Sequence, residues 1–298
     1  MALKDELAVQ WRTGGVLVRL ILINVGVFLV LRLVDLIFFL TGNQGPNVAQ
    51  WLMSTSHLPT LLVRPWTVLT YMFAHWDLFH ILFNMLMLWF AGRLFLDLLG
   101  PKRLVGNYLL GGFFGLALYV ISYNLFPPFQ RFAEGSTILG ASAAVMGVFI
   151  GIAAYRPDMV VHLIIFGAVR LKWIALIYIV IDLISVRQGG NSGGHIAHLG
   201  GALYGYLAAV QLRRGRDWSL AFVSFWERAW DLLSGARVRR LKVAHRKERV
   251  SVMADRIAEH KRDRQARVDS ILDKISRSGY DSLSKEEKDF LFRASNDR

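Results

Sequence analysis

The sequence of 298 residues contains no cysteine. Disulfide bonds, thiolate zinc sites and a cysteine nucleophile are therefore excluded. The chain also lacks the H-E-x-x-H motif of many zinc-dependent hydrolases. Its apolar segments contain no internal repeat, and this counts against a secondary transporter built from inverted repeats.

Charged residues are scarce over most of the chain and concentrated at its end. Hydrophobic residues make up 54% of the sequence, against about 45–50% in an average soluble domain. Residues 213–298 hold 22 Lys and Arg against 14 Asp and Glu. This segregation predicts a cytoplasmic N-terminus over residues 1–15, a membrane domain over residues 16–212 and a basic cytoplasmic tail over residues 213–298. Basic residues beyond a last apolar span favour cytoplasmic retention and contact with membrane lipids, so we expect no nucleic-acid partner.

Six apolar runs in the first 212 residues are candidates for transmembrane helices, because a hydrocarbon core of about 30 Å needs about 20 apolar residues. They cover residues 16–40, 78–99, 104–126, 140–155, 173–186 and 196–212. The fourth and fifth runs are short for such a core, which favours a locally thinned bilayer or ends sheltered by protein. Short spans with polar ends suit a site within the membrane. We predict an all-α polytopic membrane protein, with a six-helix transmembrane bundle and a small helical cytoplasmic tail.

Lysine and arginine are unevenly distributed among the predicted loops. With the N-terminus inside, eight of them lie in cytoplasmic segments, and three, Arg64, Arg131 and Arg187, lie in outer loops. Because translocation of a cation is costly, this distribution predicts that both termini are cytoplasmic. The start of the chain resembles neither a cleavable signal peptide nor a transit peptide, which favours the plasma (inner) membrane of a bacterium.

Three segments outside the predicted spans have informative patterns. Residues 41–77 form a long outer connection whose tryptophans are typical of the headgroup layer. Residues 156–172 are apolar but bounded by proline and basic residues, which favours a short hairpin. Residues 268–295 are predicted to form two short helices, with Gly279 as the C-cap of the first and Ser284 with Glu287 as a capping box of the second.

A set of polar side chains interrupts the apolar runs near their predicted outer ends. An ionisable residue at the centre of a span costs about 2.5–3.5 kcal/mol on insertion scales, so it usually has a partner or a function. His80 and Asn84 are four residues apart and share one helix face. Ser142 lies at the start of the fourth run, and His195 and His198 lie at the start of the sixth.

This set can support nucleophilic catalysis. A serine needs a neighbouring base to become a nucleophile, and Ser142 and His198 can form that pair. Gly147 on the fourth run and Gly201 and Gly205 on the sixth belong to small-residue ladders, which let helix backbones approach closely. Such packing would bring the imidazole to the hydroxyl, and the polar pair on the second run would supply donors to a developing oxyanion.

The same residues resemble the rhomboid family of intramembrane serine proteases over about residues 16–212. The resemblance rests on the outer-loop segment RPWTVLTYMFAH, on H-x-x-x-N (His80, Asn84), on G-x-S (Gly140, Ser142) and on H-x-x-G-x-x-x-G (His198, Gly201, Gly205). It implies a serine-type endopeptidase that cleaves transmembrane protein substrates through a Ser-His dyad, with no cofactor and no metal. Ser142 would be the nucleophile and His198 the general base. His80, Asn84 and the backbone N–H of Ser142 would form the oxyanion hole.

Three positions depart from the pattern of that family. Ala143 replaces the last glycine of the usual G-x-S-G motif and adds a methyl group where backbones are close. Met146 replaces a tyrosine that stacks on the catalytic histidine in many members, and Thr67 follows Trp66 where an arginine is common. The alternative interpretation is therefore a catalytically inactive rhomboid-like protein that binds transmembrane helices.

The histidines leave two further interpretations open. His195, three residues before His198, is an alternative base. His75, His80, His195 and His198 could together supply nitrogen ligands for zinc, although we expect no carboxylate near them. Asp182, near the outer end of the fifth run, is expected to hydrogen-bond to loop backbone. The sequence does not define an oligomeric state.

Overall fold

The helices of the chain follow its apolar runs. The structure is a computed structural model that describes residues 3–42, 48–163, 165–188, 190–234, 266, 268–279, 283–288 and 290. Up to Leu233, the α-helices are α1 (Leu3–Thr13), α2 (Gly15–Leu40), α3 (Leu58–Val63), α4 (Thr67–Thr70), α5 (Leu78–Leu99), α6 (Pro101–Leu125), α7 (Pro127–Gln130), α8 (Ser142–Tyr155), α9 (Leu171–Ser185), α10 (Ser192–Arg213) and α11 (Trp218–Leu233).

Each of the six predicted spans is a helix, so the prediction of an all-α bundle is confirmed. Helices α2, α5 and α6 have 26, 22 and 25 residues and are long and apolar enough to cross a bilayer. Helices α8 and α9 are shorter, with 14 and 15 residues, and α10 has 22. Many large apolar side chains on α2, α5 and α9 are exposed, including Leu29, Phe79 and Ile177, as expected of faces that contact lipid.

The connection between α2 and α5 is built from short elements. Two 3₁₀ helices, Val48–Trp51 and Tyr71–Phe73, flank α3 and α4. Strand β1 (Ser54–Thr55) pairs antiparallel with strand β2 (Thr137–Ile138). The exposed rings of Trp51 and Trp66 are stacked, and the indole N–H of Trp66 donates to the carbonyl oxygen of Trp51 at 2.8 Å. The β1–β2 pairing ties this connection to the segment that leads into α8.

The segment between α8 and α9 forms the predicted hairpin. Strand β3 (Val160–Leu163) pairs antiparallel with strand β4 (Gly167–Arg170). At its base, the Lys172 ammonium donates to the Asp158 carboxylate at 2.7 Å. This hydrogen bond and the lysine charge hold the pKa of the Asp158 carboxyl below its ordinary value. The prediction of a hairpin here is confirmed.

Helix α8 forms the centre of the bundle. All of its residues from Ala143 to Ala153 are buried, and it packs against α5, α6, α9 and α10. Its apolar sequence has no single apolar stripe, which is typical of a helix surrounded by protein. The first residue of this central helix is Ser142.

Helix α11 packs on the bundle beyond the last predicted span. The buried hydroxyl of Ser219 donates to Asn107 on α6 at 2.7 Å and lies 2.9 Å from the Tyr204 hydroxyl on α10. A Cβ atom added to Gly106 would lie 2.5 Å from the Ser219 carbonyl oxygen, so only glycine fits there. The chain divides into two compact units, Met1–Leu232 and Leu233–Arg298, and α11 belongs to the first of them except for its last residue.

The second unit contains the predicted helix boundaries of the tail. Gly279 has φ 79°, and its N–H donates to the Ile275 carbonyl oxygen at 2.9 Å, which closes the helix over residues 268–278. The Ser284 N–H donates to the Glu287 carboxylate at 2.7 Å, and the Glu287 N–H donates back to the Ser284 hydroxyl at 3.3 Å. The predicted C-cap and capping box are both confirmed.

Candidate active site

The turn before α8 fixes the position of Ser142. Gly140 has φ 124°, a conformation that side chains disfavour, and its N–H donates to the Tyr71 carbonyl oxygen at 2.9 Å. A Cβ atom added to Gly140 would also lie 2.7 Å from Cε1 of His80. Position 140 therefore requires glycine for two reasons, the conformation of the backbone and the imidazole of His80 packed against it.

The imidazole of His198 reaches the hydroxyl of Ser142. Its Nε2 lies 2.6 Å from the Oγ of Ser142, within a strong hydrogen bond. The roles of the two ring nitrogens depend on the tautomer. If Nδ1 carries the proton, the Ser142 hydroxyl donates to Nε2, and His198 is oriented to accept the serine proton.

Asp182 on α9 favours that tautomer. Its buried Oδ1 lies 2.9 Å from Nδ1 of His198 and 2.8 Å from Nδ1 of His195. A carboxylate accepts hydrogen bonds only, so each Nδ1 donates to it. Ser142, His198 and Asp182 therefore form a continuous line of hydrogen bonds, with the geometry of a Ser-His-Asp triad.

The expectation that Asp182 bonds to loop backbone is wrong. Its carboxylate meets the two imidazoles in the first two turns of α10. The sequence does contain a signal for this contact. Asp182 lies near the end of the fifth predicted span, and His195 and His198 lie near the start of the sixth, so all three are expected at the same side of the membrane. That signal was present, but it does not reveal which faces of the two helices meet.

Close packing of α8 and α10 brings the side chains of Ser142 and His198 together. A Cβ atom added to Gly201 would lie 2.0 Å from the carbonyl oxygen of Ala143. One added to Gly205 would lie 2.4 Å from the carbonyl oxygen of Gly147. Gly147 in turn faces Gly111 on α6, where an added Cβ would lie 2.8 Å from the Gly111 Cα. The helix backbones touch at these glycines, in the manner of small-residue packing in membranes.

The methyl group of Ala143 is accommodated by a glycine on a third helix. A Cβ atom added to Gly115 on α6 would lie 2.6 Å from the Cβ of Ala143 and 2.7 Å from the Ala197 carbonyl oxygen. The departure from the usual glycine at position 143 is thus matched by the absence of a side chain at position 115. The other two unusual residues are also buried: Met146 is 5% exposed, and Thr67 donates to the Arg64 carbonyl oxygen.

His80 lies on α5 beside the turn that carries Ser142, and Asn84 lies one helical turn further along α5. The His80 ring packs against Gly140, as described above. The amide of Asn84 donates to the His80 carbonyl oxygen at 2.8 Å, within its own helix. The side-chain amide has two N–H groups, and this bond uses one of them.

His75 supports the same turn from the connection before α5. It is fully buried, and its Nε2 accepts the N–H of Ala141 at 3.2 Å. Burial, and then the neighbouring His80 imidazole, lower the pKa of His75 to about 4. His75 is therefore neutral near pH 7 and holds the residue before the candidate nucleophile. The sequence marked it only as a candidate zinc ligand.

The four histidines considered for zinc form two groups. The rings of His75 and His80 are 5.2 Å apart, and those of His195 and His198 are 5.7 Å apart. Within the described part of the chain, the grouping suited to a metal ion is Asp182 with His195 and His198, whose donor atoms lie within 4.8 Å of one another. The expectation that no carboxylate lies near these histidines is therefore wrong.

A bundle of apolar helices that holds a serine, a histidine and an aspartate in one hydrogen-bonded line defines a membrane protein whose site is built between helices. The family model for the rhomboid domain matches residues 63–215, just over half of the chain. The chain belongs to the rhomboid family. Residues 253–297 match a second model, described as a family of unknown function, DUF6576.

Curated relatives carry rhomboid-like names. The chain is 26% identical over 219 residues to RHOMBOID-like protein 12, mitochondrial, of Arabidopsis thaliana, an alignment that covers 70% of this chain and 62% of that protein. It is 31% identical over 138 residues to the human Presenilin-associated rhomboid-like protein, mitochondrial, and 30% identical over 136 residues to the rat protein. These two alignments cover 45% of this chain and 34% of each relative. The chain thus spans less than two thirds of the relatives' own length.

Proposed function

We propose that this protein is an intramembrane serine protease that cleaves transmembrane segments of other membrane proteins. The observation that carries the proposal is the 2.6 Å contact between Nε2 of His198 and Oγ of Ser142, with Asp182 behind the imidazole. A serine alone at the start of a helix is an ordinary packing or capping residue. A serine that faces an oriented imidazole is an activated nucleophile.

The proposed reaction begins with attack of the Ser142 oxygen on a substrate carbonyl carbon. The serine proton moves to Nε2 of His198, and Asp182 stabilises the resulting imidazolium. When the peptide C–N bond breaks, the same proton passes to the leaving amine. Water then attacks the acyl-enzyme with His198 again as the base, which releases the second product and restores Ser142.

Stabilisation of the oxyanion is proposed for His80, Asn84 and the backbone N–H of Ser142. The N–H groups in the first turn of a helix have no partner within the helix, so that of Ser142 at the start of α8 is available. His80 lies on α5 beside the turn of Gly140, and Asn84 lies one helical turn further along α5. Removal of one such donor typically costs about a hundredfold or more in rate.

The substrate is proposed to be a transmembrane segment whose helix is weak near the site. A helix hides its carbonyl groups in its own hydrogen bonds, so cleavage needs locally extended backbone. Segments with glycine or proline at that position meet this need. We expect a model substrate with a Gly-Pro pair to be cut faster than its Leu-Leu version. Equal rates for the two would contradict this part of the proposal.

The location is proposed to be a plasma membrane with both termini on the cytoplasmic side. The uneven distribution of basic residues between alternate loops supports this orientation. The names of the relatives place those proteins in mitochondria. Because the sequence has no cysteine, single variants Gly135→Cys and Ile165→Cys can be labelled in intact cells with a membrane-impermeant maleimide. We expect the label at position 135 only.

The test of the activity is labelling of the purified protein with a fluorophosphonate probe that reacts with activated serines. We expect labelling of the wild type, none for Ser142→Ala and His198→Ala, and retained labelling for His195→Ala. The last variant is the matched control, because it removes a neighbouring imidazole that also contacts Asp182 but not Ser142. Labelling lost in His195→Ala and kept in His198→Ala would assign the base to His195.

A second candidate function is a catalytically inactive rhomboid-like protein that binds transmembrane helices. The observation in its favour is the Asn84 amide, which is turned back onto its own helix. A folded wild type that does not react with the probe and still binds a transmembrane peptide would favour this candidate over the protease.

A further inference from the structure

Asp182, His195 and His198 form a cluster of metal-binding groups at the end of α9 and the start of α10. Their donor atoms lie within 4.8 Å of one another. The two Nδ1 atoms point at the same oxygen, Oδ1 of Asp182, from 2.8 and 2.9 Å. Two imidazole nitrogens and one carboxylate oxygen are a known donor set for zinc, with a fourth position left open to water.

The charge of this cluster also favours a cation. The Asp182 side chain is only 7% exposed. Among the residues that the structure describes, its ion-pair contacts are with these two histidines. The two imidazoles hydrogen-bond to the Asp182 carboxylate at 2.8 and 2.9 Å, and a buried negative charge without a balancing charge is costly. A divalent cation between the three groups would balance it.

The cluster is accessible and close to the size that zinc needs. The side chains of His195 and His198 are 23% and 20% exposed, so an ion can reach them. They lie three residues apart on one face of α10. Tetrahedral zinc with bonds of about 2.0–2.2 Å places its ligand atoms about 3.4 Å apart. The two N–O distances must therefore open by roughly half an ångström, and the two nitrogens, which lie within 4.8 Å of each other, must reach the same spacing.

We propose that Asp182, His195 and His198 bind a zinc ion through Oδ1 and the two Nδ1 atoms, and that the bound ion inhibits the site. A neutral imidazole has one N–H proton. When zinc occupies Nδ1 of His198, that proton moves to Nε2, which then donates to Ser142 instead of accepting from it. The base needed to activate the serine is lost without displacement of either side chain from the site.

The inhibitory effect rests on the proposed protease function, whereas the metal site itself does not. His195 separates the metal site from the protease function. It is a proposed zinc ligand, but within the described part of the chain its hydrogen bond is to Asp182 and not to Ser142. The variant His195→Asn keeps a donor for Asp182 and removes a good zinc ligand. Ser142→Ala removes the nucleophile and leaves all three ligands.

The experiment measures zinc binding to the full chain in detergent after treatment with a chelator. Zinc chloride is titrated against a fluorescent zinc indicator, and folding of each variant is checked by thermal unfolding. We expect wild type and Ser142→Ala to bind one zinc ion with equal affinity, and zinc to raise their unfolding temperature. Affinity should fall about tenfold or more in His195→Asn and in Asp182→Asn. Equal affinity in wild type and His195→Asn would assign the binding to other histidines and overturn the proposal.

A second readout tests the inhibition. The rate of fluorophosphonate labelling of wild type should fall at least tenfold at saturating zinc and recover when EDTA is added. Magnesium at the same concentration should have no effect, since it prefers oxygen ligands. His195→Asn should need about tenfold more zinc for the same loss. Labelling that is unchanged at a zinc concentration where binding is saturated would overturn the inhibition and leave the protease proposal standing. Absence of labelling without zinc would count against the protease function alone.

Discussion

A Cβ atom on Gly201 would lie 2.0 Å from the carbonyl oxygen of Ala143, so α8 and α10 are in backbone contact one turn from His198. Gly201→Ala must separate the helices, and we expect a loss of stability of about 1–3 kcal/mol or more. Fluorophosphonate labelling should fall with it. Gly26→Ala on α2 is the matched control, because an added Cβ there meets nothing within 4 Å. Its thermal unfolding temperature in detergent should be unchanged or higher.

The fit between Ala143 and Gly115 gives a second prediction. Gly115→Ala should lower the unfolding temperature, because its new methyl group would meet both the Ala143 methyl group and the Ala197 carbonyl oxygen. The double variant with Ala143→Gly should recover only part of the loss, since the contact with Ala197 remains. Ala143→Gly alone should keep labelling. Full recovery in the double variant would mean that the Ala197 contact costs nothing.

Asp182 is expected to act by positioning His198. In Asp182→Asn the amide can donate to Nδ1, which favours the tautomer with the proton on Nε2. The labelling rate should fall by at least about a hundredfold, while affinity for a noncovalent transmembrane peptide changes little. Asp35→Asn, at an exposed carboxylate on α2, serves as the control. A parallel loss of rate and peptide affinity in Asp182→Asn would indicate a general structural role instead.

The low pKa of His75 makes the stability of the fold depend on pH. The unfolded chain binds a proton at this residue near pH 6.5, whereas burial lowers the pKa in the fold to about 4. Between these values the unfolded state holds more protons, so stability falls as the pH drops from about 6.5 to about 4. The contribution is on the order of 3 kcal/mol.

His75→Gln tests this dependence. The glutamine amide oxygen can accept the Ala141 N–H but does not titrate. We therefore expect a smaller drop in unfolding temperature between pH 7 and pH 4.5 than in wild type. The same drop in both proteins would assign the acid sensitivity to other groups.

The packing of α11 predicts where the chain can be shortened. A chain that ends at Leu233 should keep the unfolding temperature of the full protein, because it contains the whole of the first compact unit. A chain that ends at Arg216 loses Ser219, which leaves Asn107 and Tyr204 without their shared partner. Each buried polar group left without a partner costs about 1–3 kcal/mol. Equal unfolding temperatures for the two shortened chains would show that α11 does not stabilise the bundle.

The hydropathy of the sequence predicted the helices of the bundle well, because apolar length is a local property. The hairpin of residues 156–172 and the capping box at Ser284 were also predictable, since both depend on residues close in the chain. The boundary after residue 212 stays a prediction for the start of the tail, although α11 packs with the bundle. Its contacts to Asn107 and Tyr204 join distant parts of the chain, which local patterns do not reveal.

The sequence predicted only part of the candidate site, because the remaining contacts also join distant parts of the chain. Spacing within single helices pointed to Ser142 and His198, whose side chains the structure places in contact. Asp182 was misassigned because its partners lie on another helix, and helix rotation is not encoded in hydropathy. The role of Gly115 was missed because a glycine that fits a neighbouring methyl group looks like any other glycine in the sequence.

The burial of α8 from Ala143 to Ala153 determines how the bilayer can influence this protein. No side chain from Ala143 to Ala153 is exposed, so protein rather than lipid surrounds this part of the helix that begins at Ser142. Changes in bilayer thickness or composition act on the lipid-facing helices, and they reach the serine only as movements of α5, α6, α9 or α10 against α8. The sensitivity of this site to its membrane therefore depends on how easily the surrounding helices move against α8.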